Sequence, residues 1–448
     1  MAVSLTPVLG CNPPPAAEEP TYTLDTSGDE GLAMSAAPPE EATPPELAIQ
    51  IIAIDVGQGD STLVVGPEVD DHRVTMLIDA GDNRAGIDGS AYVGALLEQI
   101  GVTALDYVVL SHYDADHMGG FVTIGQGSNS LLWTRSGPDT NVACTAKPLF
   151  PRLAIFDVGE PIRASHSRTE WRACTSQLAS THPEPASSTT EHAEVRNGAH
   201  IGRELTLGGE WTATIVAGGG YVLGGTQQVS NVNTANELSI AVLIANASGF
   251  EFLVTGDLIG QPAGAEDALL EPALARGLAQ RGVDLEVLRI GHHGAPNATA
   301  PVFITSTRPE VAIISTGDNN RYEHPSCETL RTLAAGEVEV FQTEAGEPDC
   351  GELPGDPHVA NGDIEIVARG TSYTVGSRSQ QASRVTNVPT VQFAVECSLQ
   401  GCASISPAAE EPRECCRVCR TSVACGDACI SVNHQCHQEP GCACNAED

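Results

Sequence analysis

The sequence is short of positive charge. Of its 448 residues, 22 are Lys or Arg against 58 Asp or Glu; Lys147 is the single lysine, and the formal net charge is −36. A chain of that sign repels phosphate backbones and anionic membrane surfaces unless cations or a local arginine cluster reverse the field, which excludes a basic nucleic-acid-binding module. No stretch approaches 18 consecutive apolar residues, so no segment reads as a membrane-spanning helix. A repeat of fixed period is absent too, which excludes a repeat architecture. The acidity is not a property of the ends. Residues 1–48 hold 8 acids and no Lys or Arg, and residues 378–448 hold 8 acids against 5 Arg, leaving −25 on residues 49–377. That surplus reads as a solvated acidic surface.

What is present falls into three parts. Residues 1–47 form a leader rich in Pro, Glu, Ala and Ser, expected to be disordered. Its first residues run into Val8-Leu9-Gly10-Cys11, a layout resembling the end of a bacterial lipoprotein signal with Cys11 as the lipidation candidate, although it has no basic n-region and its apolar run is short. At the other end, ten of the fifteen cysteines lie between Cys397 and Cys444. Few aliphatic residues separate them, so this tail (397–448) needs cross-links or metal to fold. Cys416-x-x-Cys419 with His434 and His437 nearby would suit zinc, but the thiols outnumber one site's needs, and disulfides are the expectation. Disulfides place the chain outside the cytoplasm, secreted or lipid-anchored at a bacterial cell surface. The tail's partner is left open.

Between them, residues 48–376 read as a sheet-rich α/β domain, followed by a linker at 377–396. Short apolar strands are expected at Ala48–Asp55, Ser61–Val65, Val74–Asp79 and Tyr107–Leu110, with a helix at Ala91–Ile100. A long insertion or lid is expected over about 121–234, with Cys144 and Cys174 able to staple it. Strands then alternate with helices from Leu238 to Thr343, and Asp363–Val375 looks like a closing hairpin.

The strongest local signal is Ser111-His112-Tyr113-Asp114-Ala115-Asp116-His117-Met118-Gly119-Gly120, directly after an apolar strand. Two imidazoles and two carboxylates within six residues repel or lack orientation unless cations join them, and the spacing suits two adjacent metal ions. Two more loops occupy the same position after apolar strands, Thr255-Gly256-Asp257 and Gly291-His292-His293-Gly294.

Together with Asp55-Val56-Gly57-Gln58-Gly59-Asp60-Ser61, Ile78-Asp79-Ala80-Gly81, Asn236-Glu237-Leu238-Ser239 and Asn320-Arg321-Tyr322-Glu323-His324-Pro325, these motifs resemble the metallo-β-lactamase fold. Their order over residues 48–376 is similar to that of the hydrolase domain attached to ComEC-type competence proteins. The resemblance implies an αββα sandwich with a long insertion and a small cysteine-rich C-terminal module. It also implies a metal-dependent hydrolase with two divalent ions, Zn or Mn, attacking a small-molecule or nucleic-acid phosphodiester with metal-bound hydroxide. Lactones or amides are the alternative substrates, and a binding protein on an inactive scaffold is the alternative class. Residue by residue, His112 and Asp114 would bind one metal, Asp116 and His117 the other, and Asp257 would bridge. His292 or His293 would complete the second site. Asp79 would orient the His112 loop, and Asp60, Asn236, Ser239, Asn320 and His324 would line or back the cleft. Asp116, His324 and Asp60 are the residues expected to take part in the chemistry, with His324 as proton donor to the leaving group. Two departures stand out. Many superfamily members have a histidine at the Asp114 position and a further one in the insertion. Here His166, His182, His192 and His200 lie in the insertion, none in a matching context.

Overall fold

The computed structural model describes residues 48–394, apart from 84–87, 124–128, 139–140, 160–164, 180–189, 226–227, 230–233, 261–268, 347, 349, 352–354 and 379–390, and four short strands within 417–445. The leader with Cys11 and the cysteine pairing of the tail lie outside the described residues.

Two large mixed sheets form the centre of the molecule. The first runs, in spatial order, Val391–Ala394, Ser372–Arg378, Asp363–Arg369, Ile49–Ala53, Thr62–Val69, His72–Ile78, Tyr107–Val109, Ala154–Asp157 and Glu191–Glu194. It is antiparallel up to His72–Ile78 and parallel beyond. The second runs Tyr221–Val222, Trp211–Gly218, Ala241–Ala245, Glu251–Val254, Val287–Arg289, Val311–Ile314, Glu339–Gln342 and His358–Val359, with Glu204–Gly208 also paired to Trp211–Gly218. Its strands from Glu251–Val254 onwards are parallel.

The period-two alternation of the strands sorts side chains between two cores. In Val311–Ile314, Val311 and Ile313 join the cluster between the sheets with Ile51, Leu63 and Leu77. Ala312 and Ile314 face the other way, onto Leu274 and Leu278 of the helix Leu270–Ala279 and Leu330 and Leu333 of the helix Cys327–Ala335. The helices Gly89–Gln99 and His166–Ala179 bury Val93, Leu96, Trp171 and Leu178 against the first sheet. The result is an αββα sandwich.

The long insertion is woven into this sandwich. Ala154–Asp157 and Glu191–Glu194 extend the first sheet, and Trp211–Gly218 belongs to the second. Outside the two sheets lie the hairpin Trp133–Ser136/Ala143–Ala146, before Ala154–Asp157, and the helix His166–Ala179, after it, joined by a Cys144–Cys174 disulfide. A second disulfide, Cys327–Cys350, was not anticipated. The sheet also runs past the boundary expected at 376. Val391–Ala394 pairs antiparallel with Ser372–Val375, and Phe393 stacks on buried Tyr373 with ring centroids 4.9 Å apart, which explains why part of the expected linker is strand. In the tail, Arg417–Cys419 pairs with Ala443–Asn445 and Val423–Cys425 with Ala428–Ile430.

The functional consequence lies at one end of the sheets. Parallel strands all point their carboxyl ends the same way, and the loops that leave them there share one crevice. Tyr107–Val109 opens into the His112 motif, Glu251–Val254 into Thr255-Gly256-Asp257, and Val287–Arg289 into His292-His293.

Candidate metal centre

Asp79 organises the first loop. It sits in the left-handed region (φ 60°) just past His72–Ile78, where its carboxylate accepts the Ser111 backbone N–H at 2.8 Å and the Ser111 hydroxyl at 2.6 Å. His117 Nδ1 lies 2.8 Å from the same carboxylate and so carries a proton, which makes Nε2 the nitrogen that a metal would take on displacing the second proton. The Ser111 hydroxyl oxygen, having donated to Asp79, accepts from His112 Nδ1 at 3.1 Å, which turns His112 Nε2 outward in the same state.

Asp257 comes from the second sheet. Its backbone N–H donates to Ser239 Oγ at 3.1 Å, and Asn236 Nδ2 donates to its Oδ2 at 3.4 Å. Gly256 makes this approach possible: at φ 54° a Cβ there would stand 2.9 Å from the Ser111 Cβ. His292 and His293 are both left-handed, at φ 49° and 53°. Two successive non-glycine residues in that region cost of order 1–3 kcal/mol each, strain that persists where the surroundings hold it for a purpose. His293 Nδ1 donates to Ser315 O at 3.2 Å, and His292 Nδ1 pairs with Asn297 Oδ1 at 2.8 Å.

These loops converge on one carboxylate. Asp257 lies 3.1 Å from His117 Nε2, 3.6 Å from His112 Nε2, 3.9 Å from His293 Nε2 and 4.0 Å from His292 Nε2. His293 Nε2 is also 3.6 Å from Asp116. Burial works against charging His117, yet Asp257 and Asp79 outweigh it and hold its pKa well above the ordinary imidazole value. His112 is pushed down, by burial first and by His117 next. Burial would raise Asp116 and Asp257; the neighbouring imidazoles outweigh it and hold both below the carboxylate range.

The centre floors a cleft of about 500 Å³ lined by Gln58, Asp116, Asn236, Asp257, Tyr322 and His324, among others. Gly317 N–H donates to Gln58 Oε1 at 3.3 Å, which turns the Gln58 amide nitrogen to His324 Nδ1 at 3.5 Å and leaves the His324 proton on Nε2. Burial, then His293 and His292, lower the His324 pKa to about 4. Tyr322, 46% exposed, stacks on His324 with centroids 5.6 Å apart.

Residues 54–128 match the model of the metallo-β-lactamase superfamily. Over 107 residues, 24% of this chain, the sequence is 33% identical to ComE operon protein 3 of Bacillus subtilis (strain 168). Over 302 residues, 67% of the chain, it is 25% identical to competence protein ComA of Neisseria gonorrhoeae. The matches span 12% and 32% of those relatives' own length. Among solved structures, a Cronobacter sakazakii metallo-β-lactamase motif mutant covers 51% of this chain and 70% of its own at 15% identity, with a TM-score of 0.24. The chain has a metallo-β-lactamase fold, and its sequence is similar to the ComEC-type competence proteins.

A metallo-β-lactamase fold implies metal, and the donor set fits. Among the described residues, the ligand atoms of His112, His117 and Asp257 lie within 4.8 Å of one another, as do those of Asp116, His117 and His293. The buried Nε2 atoms of His112, His117 and His293 and Oδ1 of Asp257 make no hydrogen bond. Four orphaned polar atoms at one point are costly unless a cation answers them all.

Most expected site residues are therefore together, but several take other places. Asp60, expected in the cleft, is buried behind it and paired with Arg289, which is 1% exposed and held down to about 9 by burial. Arg289 thus neutralises an acid expected to take part in the chemistry. The backbone of Asp60 still serves the site: its N–H donates to Asp116 O at 3.0 Å. Ser239 and Asn320 act from behind the lining, the latter accepting the His324 N–H at 2.9 Å. Of the described insertion histidines, His192 pairs with Asp157 and His200 lies beside Arg203. Asp114, with a side chain 40% exposed, is 3.8 Å from His112 Nε2 and is held by Arg168, which the sequence did not single out. Gln58 and Tyr322 were inside quoted motifs without an assigned role.

Proposed function

We propose that the protein is a metal-dependent phosphodiesterase with two divalent ions, Zn or Mn, at this centre. The observation that carries the reading is the Asp257 carboxylate set among three buried imidazoles whose Nε2 atoms have no hydrogen-bond partner. His112, Asp114 and Asp257 are assigned to one ion, and Asp116, His117, His293 and Asp257 to the other, with His292 at the rim. When bound, paired divalent ions lower the pKa of a water and offset charge on the attacked phosphate. Asp79 keeps the proton of His117 on Nδ1 and, through Ser111, that of His112, so both ligating nitrogens stay free. With its pKa held down to about 4 by burial and the neighbouring imidazoles, His324 is assigned a hydrogen bond from Nε2 to the substrate in place of the proton delivery expected of it. Tyr322 offers a face to an apolar or aromatic group at the cleft mouth.

The cleft lining among the described residues includes neither Lys nor Arg, and the chain carries −36, so a short or single phosphodiester suits it better than long duplex DNA. The word "competence" in a relative's name supports a nucleic-acid setting for that phosphodiester. The disulfides Cys144–Cys174 and Cys327–Cys350 support an extracytoplasmic location. Among the described residues no helix is long and apolar enough to cross a membrane. The test is metal content by mass spectrometry together with hydrolysis of bis-p-nitrophenyl phosphate. Two metal equivalents and turnover with Mn²⁺ or Zn²⁺ support the proposal. Absence of metal and of activity after adding either ion overturns it.

A further inference from the structure

The insertion helix His166–Ala179 reaches the metal loop through one residue. Arg168 Nη2 donates to Asp114 Oδ1 at 3.0 Å, and its Nε donates to the Tyr113 carbonyl at 3.1 Å. The fork therefore grips the Tyr113–Asp114 turn at two points, a geometry that suits guanidinium and not ammonium. Asp114 presents two oxygens, and they are used separately. Oδ1 takes Arg168, while Oδ2 faces His112 Nε2 at 3.8 Å. The arginine thus holds the side of the carboxylate turned away from the ligand cluster and leaves the other oxygen open.

The helix that carries Arg168 is fixed at several places. Trp171, three residues on and so on the same helical face, donates from Nε1 to Asp157 Oδ2 at 2.6 Å. Glu170, 2% exposed, accepts from Thr123 N at 2.7 Å and from Trp133 Nε1 at 2.9 Å. Cys174 ties the helix to the hairpin through Cys144. From the same region, Gly159 O accepts the Tyr113 hydroxyl at 2.6 Å. Arg168 itself has a side chain only 13% exposed. An exposed aspartate would otherwise sample several rotamers; here its orientation is set by a rigid donor.

We propose that Arg168 is a positioning residue that presents Asp114 Oδ2 to a metal ion at His112, so that the insertion contributes to this centre through a guanidinium. The proposal rests on the metal assignment above. Partners that orient a ligating carboxylate typically matter roughly 10–100-fold in metal affinity.

The test is metal affinity of the full chain, read by Zn²⁺ or Mn²⁺ competition with a chromophoric chelator for wild type, Arg168→Leu, Arg168→Lys, Asp114→Ala and the Arg168→Leu/Asp114→Ala double variant. Melting of each metal-free protein serves as the folding control. Expected is a roughly 10–100-fold loss at one site in Arg168→Leu with the other site unchanged, and a smaller loss in Arg168→Lys. The double variant should bind no more weakly than Asp114→Ala alone, because both substitutions remove one interaction. Wild-type affinity at both sites in Arg168→Leu overturns the inference while leaving the hydrolase reading intact. So do additive losses in the double variant, which would mark a general effect on the insertion. If wild type binds no metal, both readings fall together. Should Arg168→Leu melt far below wild type, Arg168→Lys decides: a loss confined to one site with unchanged melting supports positioning, and unchanged affinity overturns it.

Discussion

Asp79 holds the proton of His117 at Nδ1, 2.8 Å from its carboxylate, and through the Ser111 hydroxyl it sets His112 as well. One carboxylate at the end of a first-sheet strand thereby points two imidazole lone pairs at Asp257 of the second sheet. The position demands a left-handed backbone, which Asp and Asn tolerate better than other side chains. Asp79→Asn therefore tests the charge without straining the chain. Metal affinity in chelator competition is expected to fall roughly 10–100-fold, with melting of the metal-free protein little changed.

Asp257→Ala removes the group shared by both candidate ligand sets. Expected is loss of both metal equivalents by mass spectrometry and hydrolysis of bis-p-nitrophenyl phosphate at background. Normal turnover in this variant would show that the ligand assignment is wrong.

His324→Ala separates chemistry from metal binding. The imidazole lines the cleft and is assigned no metal. Metal content should stay at the wild-type value while kcat falls by roughly 10²-fold, as for the loss of one donor to a developing charge. Loss of metal in this variant would move His324 into the ligand set.

A pH effect on stability is expected far from the centre. Glu286 is buried at the start of a second-sheet strand and accepts the Glu251 N–H at 2.6 Å; burial raises its pKa from the ordinary 4.5 to about 9. The folded chain then keeps a proton that the unfolded chain releases above pH 4.5. Its contribution is present in full below that value and is lost as pH rises through about 9. Glu286→Gln removes the titration but keeps an oxygen for the Glu251 N–H. With chelator present, the gap in Tm between Glu286→Gln and wild type should widen in favour of the variant from pH 5 to pH 9. A constant gap would rule out the raised pKa.

How much of this was legible depended on distance along the chain. The His112–Gly120 loop announces itself because carboxylates and imidazoles are crowded after an apolar strand, and a sheet-rich α/β class follows from strand–helix alternation, while the αββα layering came from the resemblance. The choice between His292 and His293 was not legible. Both residues are left-handed, which breaks the alternation that strand register would have provided. Asp60 was expected in the cleft on the resemblance alone, and its partner Arg289, which belongs to the other sheet, is remote in sequence. Arg168 gave no signal, since a helix in a Ser/Thr-rich insertion carries no motif that points to Asp114.

The candidate ligands are divided between the two halves of the sandwich, His112, Asp114, Asp116 and His117 on one and Asp257 and His293 on the other. Neither half alone holds a full ligand set, so the ion would bind the closed chain in preference to an opened one and tie its two layers together like a clasp. Metal concentration then becomes a thermodynamic lever on folding: above the dissociation constant, each tenfold increase in free ion adds about 1.4 kcal/mol per site to the folded state. Heat resistance of this protein would thus follow the metal supply of its surroundings.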